Sequence, residues 1–126
     1  MNSYKDYIEQ NGNSLSEINP GSDERALQPK HAFEAVELVR MAGKAILGGD
    51  IMVMSSEGKL IYAYQFWGPE YQYLNWYCIP LEDEAYESFL KNSVQVALRG
   101  INDAVQIANK LNSNCYIVLV VDNEDD

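Results

Sequence analysis

The sequence predicts a single α+β domain: a four-stranded sheet, mixed or antiparallel, with its helices packed mainly on one face. Three observations carry this. Apolar residues recur at three- and four-residue spacing in two segments, 29–43 and 82–111. Apolar, aromatic and β-branched runs bounded by turn residues fill 45–79 and 115–121. At 126 residues and 47% hydrophobic, the chain has enough apolar surface to bury one core without disulfides or metal.

In residues 1–28, Tyr4, Tyr7 and Ile8 suggest a short helical turn before Gly12, Asn13, Asn19, Pro20 and Gly21 break the pattern, so this part reads as a loosely packed arm. The domain proper is expected over 29–121. Its first helix places Ala32, Phe33, Ala35, Val36, Val39 and Ala42 on one stripe and ends near Gly43. Segment 45–54 is a strand interrupted by Gly48-Gly49-Asp50, and 55–59 turns the chain into a second strand over 60–66. Trp67-Gly68-Pro69-Glu70 is a further turn signal, after which 71–79 reads as a third strand closed by Pro80.

Segment 82–111 is the dominant helix. Phe89, Leu90, Val94, Ala97, Leu98, Ile101, Ala104, Val105, Ala108 and Leu111 form its apolar stripe, and Glu82, Asp83, Glu84 and Glu87 fall in its first turn, where the macrodipole favours acids. Gly100, at a cost of about 1 kcal/mol relative to Ala, is a point for a bend. Segment 115–121 is a strand buried on both faces, and 122–126 is an acidic tail. The order is helix, three-strand meander, long helix, strand. A crossover through the long helix would lay the last strand parallel to the first, in order 4-1-2-3.

The net charge of −10 and a pI near 4.4 disfavour nucleic acid and anionic membrane surfaces as partners and favour basic or neutral proteins. The first ten residues, MNSYKDYIEQ, have no basic flank leading into an apolar core, and no apolar run approaches a membrane span, so a cytoplasmic location is expected. Cys78 and Cys115 sit in separate apolar segments and are expected as buried free thiols.

Reactive chemistry finds little support. One histidine, His31, and two isolated cysteines do not make a metal site, no cofactor motif is present, and an acidic chain raises a thiol pKa rather than lowering it. Gly48-Gly49-Asp50 is similar to the tripeptide of cyclic-dinucleotide cyclases, but Ile51-Met52 does not continue that signature, and two glycines in a strand imply a bulge or a close backbone approach. No catalytic residue is assigned.

The concentrated feature is aromatic. Eight of the fourteen aromatic residues fall within 62–77. Tyrosines on an open sheet face offer large, rigid, amphipathic area, the residue type that anchors protein interfaces. Candidate partner-binding residues are therefore Tyr62, Tyr64, Trp67, Tyr71 and Tyr73, rimmed by Glu82, Asp83 and Glu84. Cross-strand tyrosine pairs that only stabilise a sheet are the structural alternative.

The segment Ala45-Ile46-Leu47-Gly48-Gly49-Asp50-Ile51, preceded by the 32–40 helix and followed by Asn75-Trp76-Tyr77 and an acidic helix start, resembles the immunity protein 40 family of bacterial polymorphic-toxin and contact-dependent inhibition systems. The resemblance spans about 18–121. It implies an immunity protein that binds the toxin domain of its partner, and Gly48, Gly49, Asp50 and Trp76 match the family pattern without an implied catalytic role. The stretch 65–74 is longer than that pattern leads one to expect. Such toxins are often basic nucleases, whose approach an acidic surface would speed. The alternative is an acidic nucleic-acid mimic that inhibits a DNA-binding enzyme.

Overall fold

The architecture is set by one long strand and what pairs along its two edges. A computed structural model describes residues 3–15, 20–21 and 24–122. In chain order the elements are α1 (Tyr4–Asn11), β1 (Asn13–Ser14), β2 (Arg25–Leu27), α2 (Pro29–Met41), β3 (Ile46–Met54), β4 (Leu60–Tyr62), α3 (Ala63–Trp67), a 3-10 helix (Pro69–Leu74), β5 (Trp76–Tyr77), α4 (Tyr86–Lys110) and β6 (Tyr116–Val121). The strands form one six-stranded open sheet in the order β1-β2-β6-β3-β4, with β5 also paired to β3. Every pairing is antiparallel.

The α+β class stands and the sheet takes the antiparallel of the two expected forms, but it has six strands rather than four. Two further strands come from residues 1–28, where β1 and β2 extend the sheet beyond β6 and Tyr4, Leu15, Ala26 and Leu27 are buried. The three-strand meander is absent. Tyr62 ends β4, and 63–74 coil into α3 and the 3-10 helix instead of forming the expected turn and strand. Gly68 makes the joint at φ 130°, a conformation essentially reserved for glycine, and Pro69 opens the 3-10 helix, where its missing N–H costs nothing.

The direction of the last strand follows from that excursion. Because no hairpin partner lies next to β4, β5 returns to β3 itself, pairing Gly48 with Tyr77 and Gly49 with Trp76. A crossover through α4 then makes β6 parallel to β5 and so antiparallel to β3. The sheet combines two interleaved crossovers: β2-α2-β3 steps over β6, and β5-α4-β6 steps over β3. The adjacency of first and last long strands is as expected; their relative direction is not.

The main core lies between the sheet and the helices. Ile46, Ile51, Val53, Ile117 and Leu119 meet Ala32, Ala35, Val36 and Val39 of α2 and Val94, Ala97, Ile101 and Ala104 of α4. A smaller cluster on the opposite face, Leu15, Ala26, Met52, Leu60 and Val118, packs against Tyr62 and Tyr116 and includes no helical residue. A register irregularity between Ile46 and Gly48 frees the Ile46 N–H, which donates to the buried Ser93 Oγ at 3.0 Å, while that hydroxyl donates to the Leu90 carbonyl at 2.8 Å. The bond pins α4 to the start of β3.

Trp76 is the second pin. A Cβ at Gly49 would overlap its six-membered ring, and one at Gly100 would stand 2.7 Å from the same ring, so the indole lies between β3 and α4 on two surfaces that only glycine leaves open. At Gly48 a Cβ would stand 2.6 Å from the Trp76 carbonyl oxygen. Gly100 therefore marks no bend, since α4 runs unbroken past it; it marks a seat.

This reverses the usual sign of a helix substitution. Gly→Ala inside a helix gains about 1 kcal/mol in propensity. Gly100→Ala must also displace the indole, an overpacking cost of about 1–3 kcal/mol. Gly100→Ala is expected to lower the urea midpoint in the native background and to raise it in a Trp76→Ala background. Stabilisation in both would contradict the seat.

Candidate protein-binding surface

The structure divides the aromatic segment among three places. Tyr62 stands opposite Met52 on the sheet face away from α2 and α4 and stacks on Tyr64, with ring centroids 5.6 Å apart and planes 26° apart. Tyr62 N–H donates to Gln65 Oε1 at 3.2 Å, tying the end of β4 to α3. Trp67 and Tyr71 pack against the main core, edge to face at 6.0 Å, and Trp67 Nε1–H donates to Ser113 Oγ at 3.1 Å. Tyr73 is 65% exposed. The five aromatic candidates thus do not share one surface. Ala63, Trp67, Tyr71 and Leu74, all against the main core, recur at spacings of four, four and three, a helical signal inside what reads as strand.

The acidic candidates also move. Glu82 and Asp83 lie in the turn before α4, not in its first helical turn, which begins at Tyr86. The turn closes through Glu84 N–H to the Leu81 carbonyl at 3.0 Å, with Asp83 at φ 66°. Glu84 Oε1 accepts from Leu81 N–H at 2.9 Å and Oε2 from Ser88 Oγ–H at 3.0 Å, so its carboxylate holds the helix entry in place. Glu82 and Asp83 face solvent.

Residues outside the sequence-derived set complete the surface. Tyr77 is 87% exposed, Ile79 76% and Leu81 74%, at alternate positions along one extended run. Between them Cys78 points inward against Ala45 and Phe89. Tyr86 flanks the run, with its hydroxyl 3.1 Å from Ala45 N, from which it accepts. The signal for this ridge was the period-two alternation across 76–81, which the terminating Pro80 obscures.

Asp50 lies on the sheet face away from the helices, as do Tyr62 and Tyr77, half-buried in register with Val118 and two residues along β3 from Met52, the partner of Tyr62. Burial pushes its carboxyl above the usual aspartate range. Burial raises the Tyr62 hydroxyl too, followed by the influence of Asp50, Tyr64 and Glu24. The gap between β4 and β5 along β3 is closed by Asn75, whose side-chain oxygen accepts the Ile51 N–H at 2.8 Å. Both cysteines are free and buried. Burial pushes the Cys115 thiol up to about 11, and burial followed by Glu84 raises Cys78, so neither is a ready nucleophile. No group of three or more metal-ligating side chains occurs among the described residues, and no helix there is long and apolar enough to cross a membrane.

A family model described as immunity protein 40 matches residues 14–121. The chain belongs to the immunity protein 40 family. The match takes in every strand but the first residue of β1, and the family name implies a toxin as partner. No curated protein matches the chain. Within this member of the immunity protein 40 family, Gly48, Gly49 and Trp76 meet at the indole seat rather than at a reactive cleft.

The electrostatics of the site give two expected outcomes. Asp50 has a folded pKa above its unfolded value, so its ionisation opposes folding: the stability it carries when protonated is lost as pH rises through the folded pKa. Asp50→Asn should therefore be more stable than the parent at pH 7, with the gap closing at pH 3, as read by urea unfolding at the two values. Both thiols should resist a disulfide-exchange reagent at neutral pH until denaturant is added; rapid native-state labelling would contradict their burial.

Proposed function

We propose that the chain is an immunity protein that binds and neutralises a cognate toxin domain by covering its active site or the adjoining surface. The observation that carries this is the family match over 14–121, which takes in both crossovers and the indole seat. The surface supports binding rather than turnover. It offers exposed Tyr73, Tyr77, Ile79 and Leu81 beside Glu82 and Asp83, whereas the thiols are buried and the one histidine sits in the α1–α2 contact against Tyr7. With a net charge of −10, the favoured toxin is basic, and a nuclease of a polymorphic-toxin or contact-dependent inhibition system fits, since an acidic inhibitor is steered to the surface that takes phosphate. Such neutralisation takes place in the cytoplasm of the producing cell.

The acid excess also favours a second reading, a nucleic-acid mimic acting on DNA-binding enzymes. A mimic binds unrelated basic proteins with steep salt dependence, whereas an immunity protein discriminates by shape.

Co-expression with the C-terminal toxin domain encoded next to this chain should restore growth, and the two should co-purify as a complex that persists at 0.5 M salt. Loss of both rescue and complex would overturn the reading. Equal affinity for an unrelated basic protein would favour the mimic.

A further inference from the structure

An immunity protein must present some surface to its toxin, and the choice of that surface, which rests on the immunity reading, turns on the edges of the sheet. Strand β5 is paired on one side only, to β3. Cys78 N–H donates to the Leu47 carbonyl at 2.9 Å, continuing the ladder one residue past β5. In an antiparallel ladder backbone groups alternate in direction, so with Cys78 facing β3 the N–H and C=O of Tyr77 and Ile79 face away from it. Pro80 falls on the β3 side of this alternation, so its missing N–H does not blunt the outer edge as an edge proline otherwise would. Leu81 N–H is taken by Glu84. The outer edge is thus short, unprotected and lined by the exposed side chains of Tyr77 and Ile79. A cavity of about 210 Å³, lined by Tyr73, Trp76, Val96 and Arg99 among others, adjoins it between the 3-10 helix, β5 and α4.

Charge selects the occupant. Between Lys59 and Lys91 there is no lysine, arginine or histidine, while Glu70, Glu82, Asp83, Glu84 and Glu87 all fall there. A second copy of this chain would bring the same excess of acids to the contact, and at a net charge of −10 like-charge repulsion opposes it. A basic segment would be drawn to it.

We propose that the toxin docks by adding an extended, basic segment to the free edge of β5, its apolar side chains resting on Tyr77 and Ile79 and its cations facing Glu82, Asp83 and Glu87. Main-chain bonds along the edge supply affinity, and the alternating side chains and acids supply selectivity.

The test uses the full chain and the toxin domain encoded beside it, with affinity read by calorimetry and folding checked by thermal unfolding. Tyr77→Ala combined with Ile79→Ala should weaken the complex at least 100-fold, and Phe33→Ala, on exposed α2, should change it less than twofold. Ile79→Pro removes an outward N–H that this chain does not use, so it should weaken the complex at least tenfold beyond Ile79→Ala. Hydrogen exchange at the Tyr77 and Ile79 amides should slow in the complex. A tight complex indifferent to the double alanine variant would overturn the proposal while leaving the immunity reading intact. Equality of Ile79→Pro and Ile79→Ala would overturn strand addition. A wild-type homodimer dissolved by the alanine changes would overturn it in favour of a second copy. Failure of the wild-type chain to bind the toxin at all would overturn the immunity reading and this proposal with it.

Discussion

The placement of Trp76 between Gly49 and Gly100 is the constraint on which the rest of the structure depends. Strand β5 has two residues, too few for ladder bonds alone to fix it, and the indole supplies what the ladder lacks. One face of the ring lies on β3 and the other on α4, so a single side chain sets the height of β5 along β3 and the distance of the long helix from the sheet. The second tie, Ser93 to Ile46, acts seven residues earlier on α4, and together they stop the helix from sliding along β3. Gly49 and Gly100 each forgo conformational stability of about 0.5–1 kcal/mol, a cost offset by burying an aromatic surface that no side chain at either position would admit.

That constraint explains the topology. Once Trp76 is seated beside Gly49, β5 must pair with β3, and the twelve residues from Ala63 to Leu74 have to leave the sheet and return. They do so as α3 and a 3-10 helix whose Ala63, Trp67, Tyr71 and Leu74 close the end of the core, with Trp67 anchored on Ser113 just past α4. The direction of β6 then follows, because a crossover preserves direction relative to the strand it leaves.

Much of this was legible in the residues. The stripes of α2 and α4 follow from a period of 3.6, the burial of segment 115–121 from its unbroken apolar run, and its place beside β3 from the crossover through the long helix. What was not legible has particular causes. Alternating aromatics at Tyr62, Tyr64 and Phe66 imitate a strand, yet the spacing of Ala63, Trp67, Tyr71 and Leu74 is helical; β-propensity and pattern disagreed, and pattern won because those four side chains had a core to enter. Strands β1 and β2 are two and three residues long, below any periodicity, and exist because β6 offers an edge to pair with. The acids before α4 suit a helix start by charge, but Asp83 at positive φ turns the chain and delays the helix to Tyr86. Aromatic density marks packing as much as exposure: Trp67 and Tyr71 serve the core, whereas Ile79 and Leu81, unremarkable by type, face solvent.

The same strand geometry that builds the fold also exposes its apolar ridge. In an extended chain, seating Trp76 and Cys78 against the helices obliges Tyr77 and Ile79 to point the other way. These side chains cannot retreat into this protein's core without unseating the indole, and the glycines that accept the indole accept nothing else. An exposed apolar ridge is ordinarily an aggregation hazard on a sheet edge. Here it is flanked by Glu82, Asp83 and Glu84, in a stretch of chain with no cation between Lys59 and Lys91, which disfavours association of like copies while leaving the ridge open to a basic partner. Rigid backbone beneath, exposed aromatic and aliphatic area above, and one sign of charge around it reduce the conformational cost of association and restrict it to one class of partner.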